Sequence, residues 1–449
     1  MGETEELAEF VATTEYGDLP ADALDAARTA IMDYVGVAVY GSEHEVGETV
    51  TSHVDRCMSG DEATLIGRGR ASPTGAALAN GAYGHAIDYD DTFESIVIHP
   101  SSPVFAATLA AAEVADATGE EALAGYVLGC DVAFRVGHAT YPSHYEKGWH
   151  ATGTVGSFGA AAAAASVLGL DAEATERAVG IVASGSSALK KNFGTMTKPL
   201  HAGHAAETGV RAALLADDGF TADGEILEGK LGYGEVMTSE DGYDPERVTR
   251  DLGEEWGVLD VGFKPYPSGV ITHAAMEALR EVVIEEDLVP EDVERVEVAL
   301  DDAASEMLHH REPDDALQAK FSIEFCLAAV LRERDPGVHE FSDEYVTSEA
   351  TRDVIAKVER AFEPNIFGGE FAGYGAKVTV ETTDGETFTA EMRQAPGSPS
   401  NPVADERLRG KFVENVAART DEAHAERLAD AVAAVDEEGG LDRLLDELA

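Results

Sequence analysis

The densest run of groups able to move protons or hold ions is His85-Ala86-Ile87-Asp88-Tyr89-Asp90-Asp91-Thr92. Two histidines and a lysine share a second setting. His99-Pro100 comes just before a helix opened by Ser102-Pro103, and His150 sits in Gly148-Trp149-His150-Ala151-Thr152-Gly153-Thr154, ahead of an alanine-rich helix. Lys198-Pro199 precedes a helix expected to begin near His201. Helix N-termini present unbonded N–H groups and favour anions. Three such ends, each with a cation or a proton donor beside it, suit a ligand with several carboxylates. For any single one of them, a local cap partner is the plainer alternative. A fourth segment, Gly262-Phe263-Lys264-Pro265-Tyr266-Pro267-Ser268-Gly269-Val270-Ile271-Thr272-His273, places His273 about one turn into the next helix. Its plainer alternative is a proline-rich hinge with a structural histidine.

The elements that must position these groups change character along the chain. Residues 1–260 read as helices, with Ala, Gly and Leu at helical spacing and little strand-like alternation. Ser72-Pro73 and Ser102-Pro103 each read as an N-cap followed by an N1 proline. Small residues from Pro73 to Gly81 predict a helix that continues into the acidic run. On that helix His85, Asp88 and Thr92 share a face, being three and four residues apart. Gly159 to Gly169 is nearly all alanine, as suits a buried helix. After about residue 263, Val293 to Val298 alternates as a half-buried strand. Lys377 to Glu381 and Thr387 to Met392 form a second pair around an Asp384-Gly385 turn. Helices such as 316–332 sit between these strands, and a Pro/Ser-rich stretch from Pro396 to Pro402 closes the segment. Residues 400–449 return to charged, amphipathic helix. The expected fold is therefore mainly α with an α+β part: a helical domain over 1–262, an α+β domain over 263–399, and helices over 400–449 that rejoin the first domain. Such junctions are common places for ligand clefts.

Composition narrows the function. The chain has 449 residues, 44% apolar and 26% charged, a globular balance with room for two domains. Its 86 acidic residues against 32 basic ones give a formal net charge of -54, which argues against nucleic acid or an anionic membrane as partner. The acidic excess is spread along the chain and only ten residues are lysine. At about 1 M salt the screening length falls to roughly 3 Å, so a high-salt cytoplasm would quiet the self-repulsion. The expectation is a halophilic protein; an ordinary acidic enzyme is the alternative. No apolar run is long enough to span a membrane. The acidic start Met1-Gly2-Glu3-Thr4-Glu5-Glu6 is unlike a secretory signal, so the chain reads as cytoplasmic. Cys57, Cys130 and Cys326 are far apart and in helical, apolar surroundings, which predicts buried structural cysteines rather than disulfides, a zinc site or an iron–sulfur cluster.

Several chemistries are set aside. There is no GxGxxG turn, GxxxxGK[ST] loop, HExxH helix or GxSxG elbow. Asp88-Tyr89-Asp90-Asp91-Thr92 fits the DxDxT pattern of phosphoaspartate phosphatases, whose first Asp is the nucleophile beside magnesium. That chemistry needs a buried strand before the motif, and Gly75 to Gly81 reads as helix. A solvated acidic turn is the other alternative for this run.

Taken in order, His85 to Thr92, His99-Pro100, Gly148 to Thr154, Phe193 to Gly203, Lys264 to His273 and Ala319-Lys320-Phe321-Ser322 resemble the MmgE/PrpD family over roughly residues 5–420. The family includes 2-methylcitrate dehydratases, cis-aconitate decarboxylases and some epimerases. The resemblance implies a large helical domain, a smaller α+β lid domain, a cleft between them and a homodimer. It implies a small polycarboxylate substrate and no metal or organic cofactor. It marks Asp88, His99, His150 and His273 as catalytic positions, and Thr92 and Lys198 as substrate-binding ones. The shared chemistry makes or quenches a carbanion next to a carboxylate, which calls for fixed positive groups and a group titrating near neutrality. Lys198 and His150 are expected to hold carboxylates, and His99 and His273 to transfer protons. Asp88 is expected to orient a histidine or share in proton transfer, and Thr92 to hydrogen-bond the substrate. The expected reaction is dehydration of 2-methylcitrate or a similar hydroxy-tricarboxylate, a hydro-lyase step in propionate metabolism. A cis-aconitate-type decarboxylase or an epimerase on the same scaffold is the alternative. Ile96-Val97-Ile98 before His99, and Gly269 where some relatives have cysteine, depart from the better-known members and bear on the substrate.

Overall fold

The computed structural model describes residues 2–301, 304, 307–363, 366–367 and 375–449. Contacts along the backbone divide the chain into two compact units, Met1–Phe263 with Leu408–Ala449, and Lys264–Arg407.

The first unit is built of helices around the helix Ala151–Val167, which is buried along almost its whole length. Its neighbours include Ser101–Ala115, Gly119–Thr140, Ala172–Gly185 and Thr197–Asp217, and Pro73–Gly84 packs on the first and last of these. Small side chains let these helices touch backbone to backbone. A Cβ at Gly129 would lie 2.7 Å from the Gly159 carbonyl oxygen, and a Cβ at Gly81 would lie 2.8 Å from Gly203 Cα. Such contacts set how closely the helices pack, and three of the helix starts carry groups of the site. The closing helices Asp405–Ala417, Glu422–Ala433 and Gly440–Leu448 pack their apolar faces into the same core.

The second unit holds a four-stranded sheet in the order Val358–Glu363, Val293–Asp301, Ala376–Thr382, Thr387–Met392. The first pair is parallel and the others are antiparallel. Val296 faces Val380 and Val298 faces Val378, so alternate residues bury one face under His273–Glu285 and Ile323–Glu333. No helix among the described residues is long and apolar enough to cross a membrane.

Several local expectations are corrected. The helix from Pro73 stops at Gly84, so His85, Asp88 and Thr92 do not share a helical face. Asp88 has φ 57, a left-handed conformation that aspartate adopts more readily than most residues. Ser72 does cap its helix, accepting from Gly75 N. Ser102 does not, because that helix already begins at Ser101. The helix bearing Lys198 begins at Thr197 rather than near His201. The span 316–332 is two helices, Ala316–Ala319 and Ile323–Glu333, because the Ser322 side chain caps the second. Cys57 is exposed at a helix end, while Cys130 and Cys326 are buried. Short strands at Ala63–Leu65, Gly69–Ala71, Thr92–Phe93 and Val261–Gly262 interrupt the helical region.

Candidate active site

Three helix N-termini of the first unit meet at one buried polar cluster. His99-Pro100 opens Ser101–Ala115, His150 is the N-cap of Ala151–Val167, and Lys198 lies in the first turn of Thr197–Asp217. The turn after Gly84 brings His85, Asp88 and Asp90 to the same place. The positive ends of three helix dipoles and one ammonium thus surround a small volume.

Hydrogen bonds fix most of its members. Lys198 Nζ donates to Asp88 Oδ2 at 2.7 Å, with both side chains about nine-tenths buried. His85 Nδ1 lies 2.9 Å from both Asp90 oxygens, and Ser102 Oγ donates to Asp90 Oδ2 at 2.6 Å. His99 Nδ1 donates to the Asp91 carbonyl at 2.7 Å, and its backbone N–H donates to Thr152 Oγ1. His150 Nδ1 is 3.0 Å from His201 Nδ1, so one ring donates and the other accepts. Ring centroids of His85 lie 4.7 Å from His99 and 5.9 Å from His150. Phe193 closes on His150 edge-on and lies under Lys198.

Burial sets the protonation of these groups. It lowers the His85 pKa, with Asp90 opposing and Lys198 assisting. Burial and then Lys198 push His150 well below the usual histidine range. His201 is pushed down to about 4 by burial, with His85 adding to the effect. Asp91 is raised well above the usual carboxylate range by burial, against a hydrogen bond from Ser101. Burial thus favours the neutral form of His85, His150 and His201 beside the Lys198–Asp88 pair.

Asp88, His99, His150 and Lys198 come together here. Thr92 is beside them in the chain but begins a short strand paired with Gly262, and its hydroxyl donates to the Ile98 carbonyl at 3.2 Å. His273 belongs to the other unit, where it is fully buried as the first residue of its helix. Its Nε2 donates to the Ser268 carbonyl at 3.2 Å, and its ring meets Tyr266 edge-on.

Two members of the cluster escaped assignment from sequence. His85 was visible in the acidic run, but helical spacing tied it to Asp88 and Thr92 instead of Asp90. His201 stands three residues after Lys198, a spacing that places both on one helix face. The phosphatase geometry is not met, because a helix and a turn precede Asp88 where a strand is needed.

His85, Asp88, Asp90 and His99 each offer a ligand atom, all within 4.8 Å of one another. They could surround a cation in outline. The donor set is otherwise engaged, since Asp88 holds the Lys198 ammonium and Asp90 holds the His85 ring. A divalent ion would have to displace an ammonium from a buried pair, so the residues fit an anion bound at Lys198 better than a metal.

Residues 5–246 match the MmgE/PrpD N-terminal domain and residues 266–437 the MmgE/PrpD C-terminal domain, and the chain belongs to that family. It is 29% identical to a cis-aconitate decarboxylase of Mus musculus, covering 92% of this chain and 86% of the relative. It is 28% identical to the Homo sapiens cis-aconitate decarboxylase, covering 92% and 87%. The cis-aconitate decarboxylase of Aspergillus terreus is 26% identical, over 99% of this chain and 94% of that protein.

Proposed function

We propose that the protein is a decarboxylase of cis-aconitate or a closely similar tricarboxylate, working without a metal or organic cofactor. One observation carries the reading: three helix N-termini and Lys198 converge on a buried cluster of imidazoles. The near full-length similarity to cis-aconitate decarboxylases favours this reaction over dehydration of 2-methylcitrate.

Lys198 and the helix ends hold the substrate carboxylates, and His150 assists at its own helix start. Thr92 supplies a further hydrogen bond. The bond from carbon to the departing carboxylate then breaks and carbon dioxide leaves. The electron pair stays on the carbon framework, spread toward a retained carboxylate held by Lys198. A histidine gives that carbon a proton and regains one from solvent. His99 and His273 are the positions that the family resemblance offers for this proton, and Asp88 sets the position of Lys198. A homodimer, also expected from the resemblance, is checked by light scattering.

The test incubates the protein in about 2 M KCl, where surface charge is well screened, with cis-aconitate, 2-methylcitrate, citrate and iminodisuccinate in turn, followed by NMR. Release of carbon dioxide from cis-aconitate with a new unsaturated dicarboxylate supports the reading. Loss of water from 2-methylcitrate, with cis-aconitate untouched, replaces it with the dehydratase.

A further inference from the structure

His85 is built differently from the other rings of the cluster. Its Nδ1 lies 2.9 Å from both oxygens of Asp90, and it is 1% exposed. A carboxylate accepts only, so Nδ1 carries the hydrogen and Nε2 is the basic nitrogen. That Nε2 is buried and has no hydrogen-bond partner among the described residues. Leaving such an atom unsatisfied is destabilising, and a bound substrate would relieve it. Ser102 also donates to Asp90 Oδ2, and the helix start at Ser101 fixes Ser102.

His99 offers a weaker arrangement for proton transfer. Its Nδ1 donates to the neutral Asp91 carbonyl and is 3.9 Å from Asp90. A carboxylate partner stabilises an imidazolium far more than a carbonyl does, which is the advantage of an Asp–His pair. The groups facing His85 are Asp88, Asp90, His99, His150, His201 and Lys198. Burial and Lys198 favour the neutral ring, and the negative charge of an arriving polycarboxylate favours the protonated one.

We propose that His85 is a further catalytic residue, accepting a proton at Nε2 as the polycarboxylate binds and giving it to the carbanion. This inference rests on the lyase reading above. The proton enters from solvent, the departing carboxylate leaves as carbon dioxide, and the electron pair of the broken bond forms the new carbon–hydrogen bond. The neutral ring then repeats the cycle. Asp90 and Ser102 are positioning residues for it.

The experiment compares wild type, His85→Gln, Asp90→Asn and His99→Gln, first on cis-aconitate and then on whichever acid wild type turns over. In His85→Gln, kcat is expected to fall about a hundredfold or more, the range of general acid–base catalysis, with KM little changed and the thermal transition retained. The alkaline limb of the kcat profile, where His85 loses the proton it must donate, should vanish with it. Asp90→Asn should lower kcat in the same direction, and it carries the test if His85→Gln does not fold. Near-normal kcat in His85→Gln, with a large loss in His99→Gln, overturns the inference and leaves the lyase reading intact. Wild type inert toward every acid removes the lyase reading, and this inference with it.

Discussion

Lys198 Nζ lies 2.7 Å from Asp88 Oδ2, and neither side chain is more than about one-tenth exposed. The pair joins the first turn of one helix to the left-handed turn that follows another. An ammonium held this way is placed in advance for an anion, and its carboxylate partner can share it with a bound substrate.

Removing one member should therefore damage both stability and binding. Lys198→Met leaves the Asp88 carboxylate buried without its ammonium, at a cost of about 3–5 kcal/mol. The double variant Lys198→Met/Asp88→Asn should regain most of that stability, because no charge is left behind. It should not regain activity, and KM for the polycarboxylate should stay at least about tenfold raised, the equivalent of about 1.4 kcal/mol. Thermal unfolding and steady-state kinetics check the two halves. Wild-type KM in Lys198→Met would sink the assignment of Lys198 to carboxylate binding.

Acid should weaken the fold through buried histidines. His85 and His150 are held below the usual histidine range by burial, and His144 is pushed down to about 4. In the unfolded chain such groups titrate near about 6.5. Between the two values the unfolded chain binds more protons, so stability is present above about pH 6.5 and is lost as pH falls toward the folded value. Each group can remove up to about 1.4 kcal/mol per pH unit in that window. Melting temperature should hold from pH 8 to 7 and fall from about 6.5 to 5. His144→Gln should flatten part of the slope, since glutamine can keep the bonds to Thr154 and the Met237 carbonyl without titrating. A slope unchanged in that variant would remove His144 from the account.

Salt should act in the opposite sense to that seen with ordinary surface ion pairs. A formal net charge of -54 makes repulsion the dominant long-range term, even though groups such as Arg295 collect three glutamates. Raising KCl from about 0.1 M to about 2 M cuts the screening length from roughly 10 Å to under 3 Å. The melting temperature should rise over that range. A flat or falling curve would identify an ordinary acidic enzyme and discard the halophile expectation.

How far the site could be read from sequence depended on whether its chemistry was local. His99, His150 and Lys198 were legible because proline and small residues mark helix starts, and a helix start has one electrostatic preference. The turn at His85 was not, since nothing between Gly84 and Ile87 breaks a helix by propensity. Tertiary bonds from Asp90 and Ser102 decide that conformation. The strand Val358–Glu363 was missed because its Glu359 and Arg360 dilute the apolar alternation. It pairs in parallel with Val293–Asp301, a contact between residues far apart in the chain. The antiparallel hairpin around Asp384-Gly385 was legible because its turn and its alternation are local.

The end of the chain also reaches the site. Lys411, on the helix Asp405–Ala417, donates to Asp33 Oδ1 at 2.6 Å and to the Tyr89 carbonyl at 2.7 Å. Its ammonium also lies 4.0 Å from the centre of the Tyr89 ring. Tyr89 separates Asp88, which holds Lys198, from Asp90, which holds His85, so this lysine anchors the turn that aims both carboxylates. Lys411→Met should cost about 3–5 kcal/mol, because the buried Asp33 loses its cation. Lys411→Met/Asp33→Asn should recover the melting temperature. It still lacks the ammonium at the Tyr89 carbonyl, so kcat should remain low while KM changes less. Recovery of both stability and kcat in the double variant would show that Lys411 serves the core alone and does not set the turn.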